Sequence, residues 1–389
     1  MNDHRKMVKY TWLTRRAVGG EKSNIKESMM KNAKAIDPAL YGISHSNRNF
    51  KDKYCWGKNQ FNSSFPVALC CYMRDKKYGT VLISQQGEQT KTSIVNFDKV
   101  FGTKKPNCQL KFCFESAFSP YGEFVEDEME VIDLVIKDFK SDEFIRPLEI
   151  KLTTLPDDGT SSFAEDKYGS EIVVRSPTMR YLALGIAQKC GTKERGKIKE
   201  IFHADCKAIR DWSNQAEMLT KRQAIFAALN KFLLAFESFQ RPLLLQPIWK
   251  TNGKEPKLAE NCLDVFTWTD FALARMLYDV ATSARSDNAI TRPQRALLRL
   301  ARFLYEFSKA GKVYQQPIYD GMTFDTLGDK EFALNGHKTN KYMSCARLVK
   351  PIVQKNEIKN IVLGGGQKYL SPERRFDAIL FFSTDLFED

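Results

Sequence analysis

The feature that most restricts the fold of this chain is a pair of apolar, β-branched segments. Val131 to Asp138 (VIDLVIKD) and Pro147 to Leu155 (PLEIKLTTL) flank a polar stretch centred on Lys140, Ser141 and Asp142. The pattern predicts two antiparallel strands joined by a hairpin turn. Alternate residues of a strand share a face, so Glu149 and Lys151 point together while Ile150 enters the opposite layer. Asp133 shares its face with Val131 and Val135. A turn symmetric about Ser141 sets Asp133 across from Glu149 and Val131 across from Lys151, and opposed residues bring Cβ atoms to about 5 Å. Pro147 lacks a ladder donor, which predicts an edge or a bulge at that point.

Two ionised carboxylates that close repel one another, and either a raised pKa or a bound divalent metal relieves the repulsion. All-oxygen ligands select magnesium or manganese; Mg2+ keeps several waters, which leaves room for a phosphate oxygen and an attacking water. Lys151 could orient or deprotonate that water, or hold charge on the phosphate. This is chemistry that hydrolyses a phosphodiester. The tripeptide alone is weak, because an acid-x-Lys triplet starts at Asp75, Asp138, Glu149, Glu165, Asp205, Glu255 and Glu357. Glu149 stands apart because it lies in an apolar strand, with an Asp-bearing strand at hairpin distance before it. A surface salt bridge is the competing reading.

The remaining chain predicts an α/β fold: a mixed sheet core flanked by helices, with a helical elaboration in the C-terminal half. Residues 65 to 77 read as a short helix with Pro66 near its start, and 80 to 84 and 92 to 97 as strands. After Pro156-Asp157-Asp158-Gly159 the pattern becomes helical, over 177 to 190, 206 to 240, 265 to 285 and 292 to 310. Short strands return at 360 to 363 and 377 to 382, around a Gly364 to Gly366 loop that lacks the Lys-Ser/Thr of a phosphate-binding loop. No repeat or low-complexity tract interrupts this order.

Lys and Arg number 60 against 47 Asp and Glu, a net charge of +13 that favours a polyanionic partner, nucleic acid before membrane lipid. Arg292, Arg295, Arg299 and Arg302 are spaced to share one helical face, as a phosphate-tracking stripe or as a solvated charged face. Arg175 and Arg180 bracket the start of another helix, a candidate phosphate site. Nine cysteines without a C-x-x-C pair and four unpaired histidines give no zinc pattern and read as free thiols of a reducing cytoplasm. The first residues, MNDHRKMVKYTWLTRR, read as a basic arm or a tail without the apolar stretch of a secretory signal, and no run of 18 apolar residues occurs, so no membrane partner is expected.

Three longer stretches carry more information than any triplet: GISHSNRNFKDKYCWGKNQFNSSFPVALCCYM (42 to 73), SPYGEFVEDEMEVIDLVIKDF followed by PLEIKLTTLPD (119 to 157), and PLLLQPIWKTNGKEPKLAENCLDVFTWTDFA (242 to 272). Through them the chain resembles the HindVP-type restriction endonucleases, members of the PD-(D/E)XK nuclease superfamily. The resemblance implies a restriction-endonuclease-like core over 41 to 160, preceded by a basic arm over 1 to 40. A mostly helical DNA-binding and dimerisation region, with returning strands, follows over 161 to 389. It further implies a type II enzyme cutting double-stranded DNA, a Mg2+ cofactor, a homodimer, and a palindromic target of the form GRCGYC. A cognate methyltransferase would act on the same site without necessarily binding the enzyme. By position the superfamily aspartate falls on Asp133 and the E-x-K on Glu149, Ile150 and Lys151, with the Ile150 main-chain carbonyl as a further metal ligand. Ile132 stands where the superfamily often has proline.

Glu115, Glu123 and Glu130 precede Asp133 as further ligands, Glu115 first, or as an acidic surface loop. Asn59 and Gln60 lie in the WGKNQF stretch, where their amides could contact adenine edges, phosphate or the catalytic strand, and Asn59 could equally cap a helix. Two rival functions remain: a monomeric repair or nicking nuclease with the same metal centre, and a non-catalytic DNA-binding regulator whose carboxylates are structural.

Overall fold

In the computed structural model the predicted hairpin forms and occupies the middle of the sheet. The structure describes residues 43, 45–47, 67, 70–86, 89–103, 109–151, 172–239, 243–244, 261–262, 265–267, 270–283, 290–324, 330–334 and 353–354. The strands are β1 (His45–Ser46), β2 (Gly79–Gln86), β3 (Gln89–Asn96), β4 (Leu110–Ser116), β5 (Ile132–Asp138), β6 (Phe144–Lys151), β7 (Ile172–Arg175), β8 (Leu243–Leu244), β9 (Asn261–Cys262), β10 (Val265–Thr267), β11 (Lys330–Leu334) and β12 (Val353–Gln354). Residues 70–75 are helical, and the helices that follow are α1 (Phe97–Phe101), α2 (Ser176–Cys190), α3 (Arg195–Asp205), α4 (Gln215–Thr220), α5 (Arg222–Ala235), α6 (Phe271–Ser283), α7 (Arg292–Ala310) and α8 (Gln315–Asp320).

The main sheet runs β1-β4-β5-β6-β10, with β1 parallel to β4 and the other pairs antiparallel. The β5–β6 pairs Leu134–Leu148, Val135–Pro147 and Ile136–Arg146 share one register, symmetric about Ser141, before a shift at Lys137. That shift belongs to the turn. Asp138 accepts from the N–H groups of Lys140 and Ser141, both at 2.9 Å, and Asp142 takes a left-handed φ of 55°. An Asp side chain satisfying the turn's own donors removes the need for glycine there.

One face of the sheet carries Phe112, Leu134, Ile136 and Leu148, all buried. Phe101 of α1 packs edge-on against Phe112 at 5.5 Å, and Arg146 donates to the carbonyls of Lys99 and Val100, so α1 closes this side. The opposite face, with Cys113 and Val135, joins the large apolar core built from Met179, Leu182 and the helices behind them. Within that layer α7 packs on α2, α3, α5, α6 and α8. Its start is fixed by a capping box between Thr291 and Gln294, and its end by Gly311 in the left-handed conformation, φ 83°. The result is the expected mixed sheet flanked by helices.

Several elements differ from expectation. The span 206 to 240 is not one helix: α3 lies earlier, over 195–205, and Asn214 starts a separate short helix by capping it. Residues 265–267 are not the start of a helix but β10, paired to the end of β6, and α6 begins only at Phe271. Phe266 and its neighbours read as helical by apolar content, while the strand is selected by a partner far away in sequence. β4 carries no alternation that separates it from a buried helix segment, and it went unpredicted. The strands expected near 360 and 377, and the glycine loop between them, lie outside the described residues. Cys70, Cys71, Cys113, Cys190 and Cys206 are buried and form no disulfide, and burial pushes the thiols of Cys190 and Cys206 up to about 12. Among the described residues no helix is long and apolar enough to cross a membrane.

Candidate active site

The hairpin register, carried one step past Leu134–Leu148, sets Asp133 across from Glu149. The side chains then lock the arrangement. Asp133 Oδ2 accepts from the main-chain N–H of Ile150 at 2.8 Å, so the aspartate reaches over its neighbouring strand. A residue's N–H and C=O leave an extended strand toward the same neighbour, so the Ile150 carbonyl also faces β5. By the same alternation the main-chain groups of 147, 149 and 151 face away from β5. Pro147 is compatible with this: its missing donor would point away from β5, and the described pairing with β10 runs over 149 to 151.

Glu149 is 6% exposed and accepts from Thr178 Oγ1 at 2.8 Å. Thr178 lies in the first turn of α2, itself 1% exposed, so the positive end of a helix stands beside the buried carboxylate. Tyr181 lies one turn further on, also buried. Burial, and then the Glu149 charge, push its phenol well above the ordinary range, so it stays protonated. The main chain of Lys151 ends β6 opposite Val265; its side chain lies outside the described residues.

Glu115 falls between the pairs Phe114–Leu134 and Ser116–Ile132, which puts it across from Asp133 on the other side. It is exposed and holds a φ of 46°, a backbone conformation costly for a residue with a side chain. The amide of Asn47 brackets the kink, accepting from the N–H of Phe114 and donating to its carbonyl, both at 2.9 Å. Glu123 is exposed in a 3-10 turn, and Glu130 is taken by an ion pair with Arg180. Among the described residues no three His, Cys, Asp or Glu side chains are grouped to hold a metal. The donors near Asp133 and Glu149 are all oxygen, which fits a hard cation whose remaining positions come from main chain and water.

Over residues 56–387 the chain matches the family model described as HindVP restriction endonuclease. The chain belongs to the HindVP restriction endonuclease family. It is 38% identical over 352 residues to the type II restriction enzyme HgiDI of Herpetosiphon aurantiacus, covering 90% of this chain and 98% of the relative. It is 37% identical over 358 residues to the probable type II restriction enzyme HindVP of Haemophilus influenzae, covering 90% and 96%. No solved structure matches it. As a HindVP-family member the chain is a restriction endonuclease, a site-specific enzyme acting on DNA.

The basic residues of this HindVP-family enzyme divide unevenly. Arg292 is exposed at the start of α7, but Arg295 and Arg302 are each 9% exposed. Arg295 donates to the Ile290 carbonyl at 3.2 Å, Arg299 to that of Met322 at 2.9 Å, and Arg302 pairs with Glu306 at 3.0 Å. The expected stripe is therefore corrected: three of its four guanidinium groups face protein, because 3-4-3 spacing selects a helix face and not the solvent. Arg180 likewise turns to Glu130 and lies 4.8 Å over the Tyr319 ring, leaving Arg175 as the exposed member of that pair. Asn59 and Gln60 lie outside the described residues. Sequence reasoning missed Thr178. Ser176-Pro177 marks a helix start, yet nothing local says that this helix lands on Glu149.

Proposed function

We propose that this protein hydrolyses phosphodiester bonds of double-stranded DNA as a Mg2+-dependent type II restriction endonuclease, at a short palindrome. The observation that carries the reading is the hairpin register, which sets Asp133 against Glu149 on one sheet face with the Asp133 carboxylate fastened to Ile150. Asp133, Glu149 and the Ile150 carbonyl would hold the metal, with Glu115 as the nearest additional acid. A bound Mg2+ supplies Lewis-acid polarisation of the phosphate and a more acidic water. Asp133 and Glu149 orient the reacting groups against the sheet, and their charge repels any phosphate that arrives without a counter-cation. Lys151, at the end of the same strand, orients or deprotonates the attacking water or offsets charge on the phosphate. Arg175 and Arg292, exposed at two helix starts, hold the DNA backbone, with Asn59 and Gln60 as further contacts.

A palindromic target matches a twofold protein, so the enzyme works as a cytoplasmic homodimer with one centre for each strand, and GRCGYC is the site the family resemblance implies. A cognate methyltransferase protects the same sequence in the host. Digestion of a fully sequenced plasmid with purified protein and Mg2+ tests this. The expected result is discrete double-strand ends mapping to one palindrome, lost in Lys151→Ala while DNA binding by gel shift persists. Nicks or lesion-dependent cutting would show a repair nuclease, and a protein that binds DNA without cutting it would be a regulator.

A further inference from the structure

We propose that Thr178 is a positioning residue for Glu149, setting the orientation in which that carboxylate meets the divalent cation. The inference rests on reading Glu149 as a ligand and adds a residue from a remote helix. Thr178 and Glu149 are 1% and 6% exposed, and their hydrogen bond is 2.8 Å long. A hydroxyl that deep needs an acceptor, and a carboxylate that deep needs a donor. The bond between them is charge-assisted and directional. Thr178 donates across the layer boundary to the sheet.

The direction of that donation is inherited from the helix. β-Branching restricts the Thr178 side chain, and Pro177 fixes the backbone beside it. Behind it, Met179, Tyr181 and Leu182 are buried, Arg180 pairs with Glu130, and Gln315 Nε2 donates to the Arg180 carbonyl at 3.0 Å. A glutamate has several rotatable bonds, and holding it in one orientation before the cation arrives removes an entropic cost from binding. Tyr181, buried one turn along, adds bulk, while its hydroxyl has no hydrogen-bond partner among the described residues. The hydroxyl of Thr178 is therefore a donor that α2 directs at this carboxylate. Partners of this kind behind a ligand typically change metal affinity about 10- to 100-fold when removed.

Thr178→Val, Thr178→Ala and Thr178→Ser, made in the full chain, test the assignment. Two readouts are needed: Mn2+ binding followed by calorimetry, and the Mg2+ concentration giving half-maximal cleavage. Val and Ala should raise the Mn2+ dissociation constant and the half-maximal Mg2+ concentration about 10- to 100-fold while recovering most of the rate at high Mg2+, whereas Ser should stay within about threefold of wild type. Ala and Ser lose the same methyl group, so this pair isolates the hydroxyl even if the Val variant fails to fold. Wild-type Mn2+ binding in the Ala variant, or a Ser variant shifted as far as Ala, would overturn the proposal. Glu149→Gln separates the two levels: if it still cleaves, the reading of Glu149 is wrong, and if it is inactive while Thr178→Ala binds Mn2+ normally, only the role of Thr178 falls.

Discussion

The β5–β6 hairpin and helix α7 each carry charged residues at the spacing of their element, and they use them in opposite ways. On the hairpin, Asp133 and Glu149 come together on one face, each held by a neutral donor, Ile150 N–H and Thr178 Oγ1. On α7, Arg295, Arg299 and Arg302 turn toward carbonyls and a carboxylate of their own surroundings. Periodicity states which side chains share a face; what that face meets depends on packing. A hairpin supplies its own neighbour within a few residues, whereas a helix in a bundle is covered by segments distant in sequence.

The largest effect expected from breaking this contrast is at Asp133. Asn at this position keeps an oxygen for the Ile150 N–H and loses the charge. Asp133→Asn should lower the cleavage rate on the order of a thousandfold, with the midpoint of denaturant unfolding nearly unchanged. A variant that unfolds early, or one that cuts at the wild-type rate, would make Asp133 a structural strap. On the helix the pattern should invert. Arg302→Ala should cost about 1–3 kcal/mol of stability, through lost packing and an abandoned Glu306, with DNA affinity unaffected. Arg292→Ala should leave the unfolding midpoint alone and reduce the salt dependence of DNA binding by about one counterion. Equal effects of the two substitutions on binding would restore the four-arginine stripe.

This contrast also marks what the sequence made legible. Hairpin, register and facing acids follow from alternation and a polar turn, all local properties. The mixed sheet flanked by helices was readable for the same reason, since strand-like and helix-like runs are separated by clear stops. β10 was misread as helix, and Thr178 was overlooked, because both acquire their roles by docking against β6 from more than 25 residues away. Glu115 ranks first among the extra acids expected from sequence, although Glu123 and Glu130 lie nearer to Asp133 along the chain. The structure sets it directly across from Asp133 by strand pairing, a relation that required β4 to be recognised.

The smallest effect concerns the turn that fixes the register. Asp142 pairs with Lys111 at 2.9 Å and Lys137 at 2.8 Å, and those two hydrogen bonds hold its carboxyl below the ordinary value of 3.8. A depressed folded-state pKa means that the contribution to stability is present above that value and lost as pH falls through the lower, folded one. Asp142 is exposed, so water and salt screen the pair and the contribution is small. Asp142→Asn should therefore lower the melting temperature slightly at neutral pH and low salt, and the difference should shrink in high salt. It should also vanish on acidification below the carboxylate range. Because asparagine also tolerates the left-handed backbone, a deficit that persisted in acid would belong to neither backbone nor charge, and would remove the ion pairs from the account of how Asp133 is brought opposite Glu149.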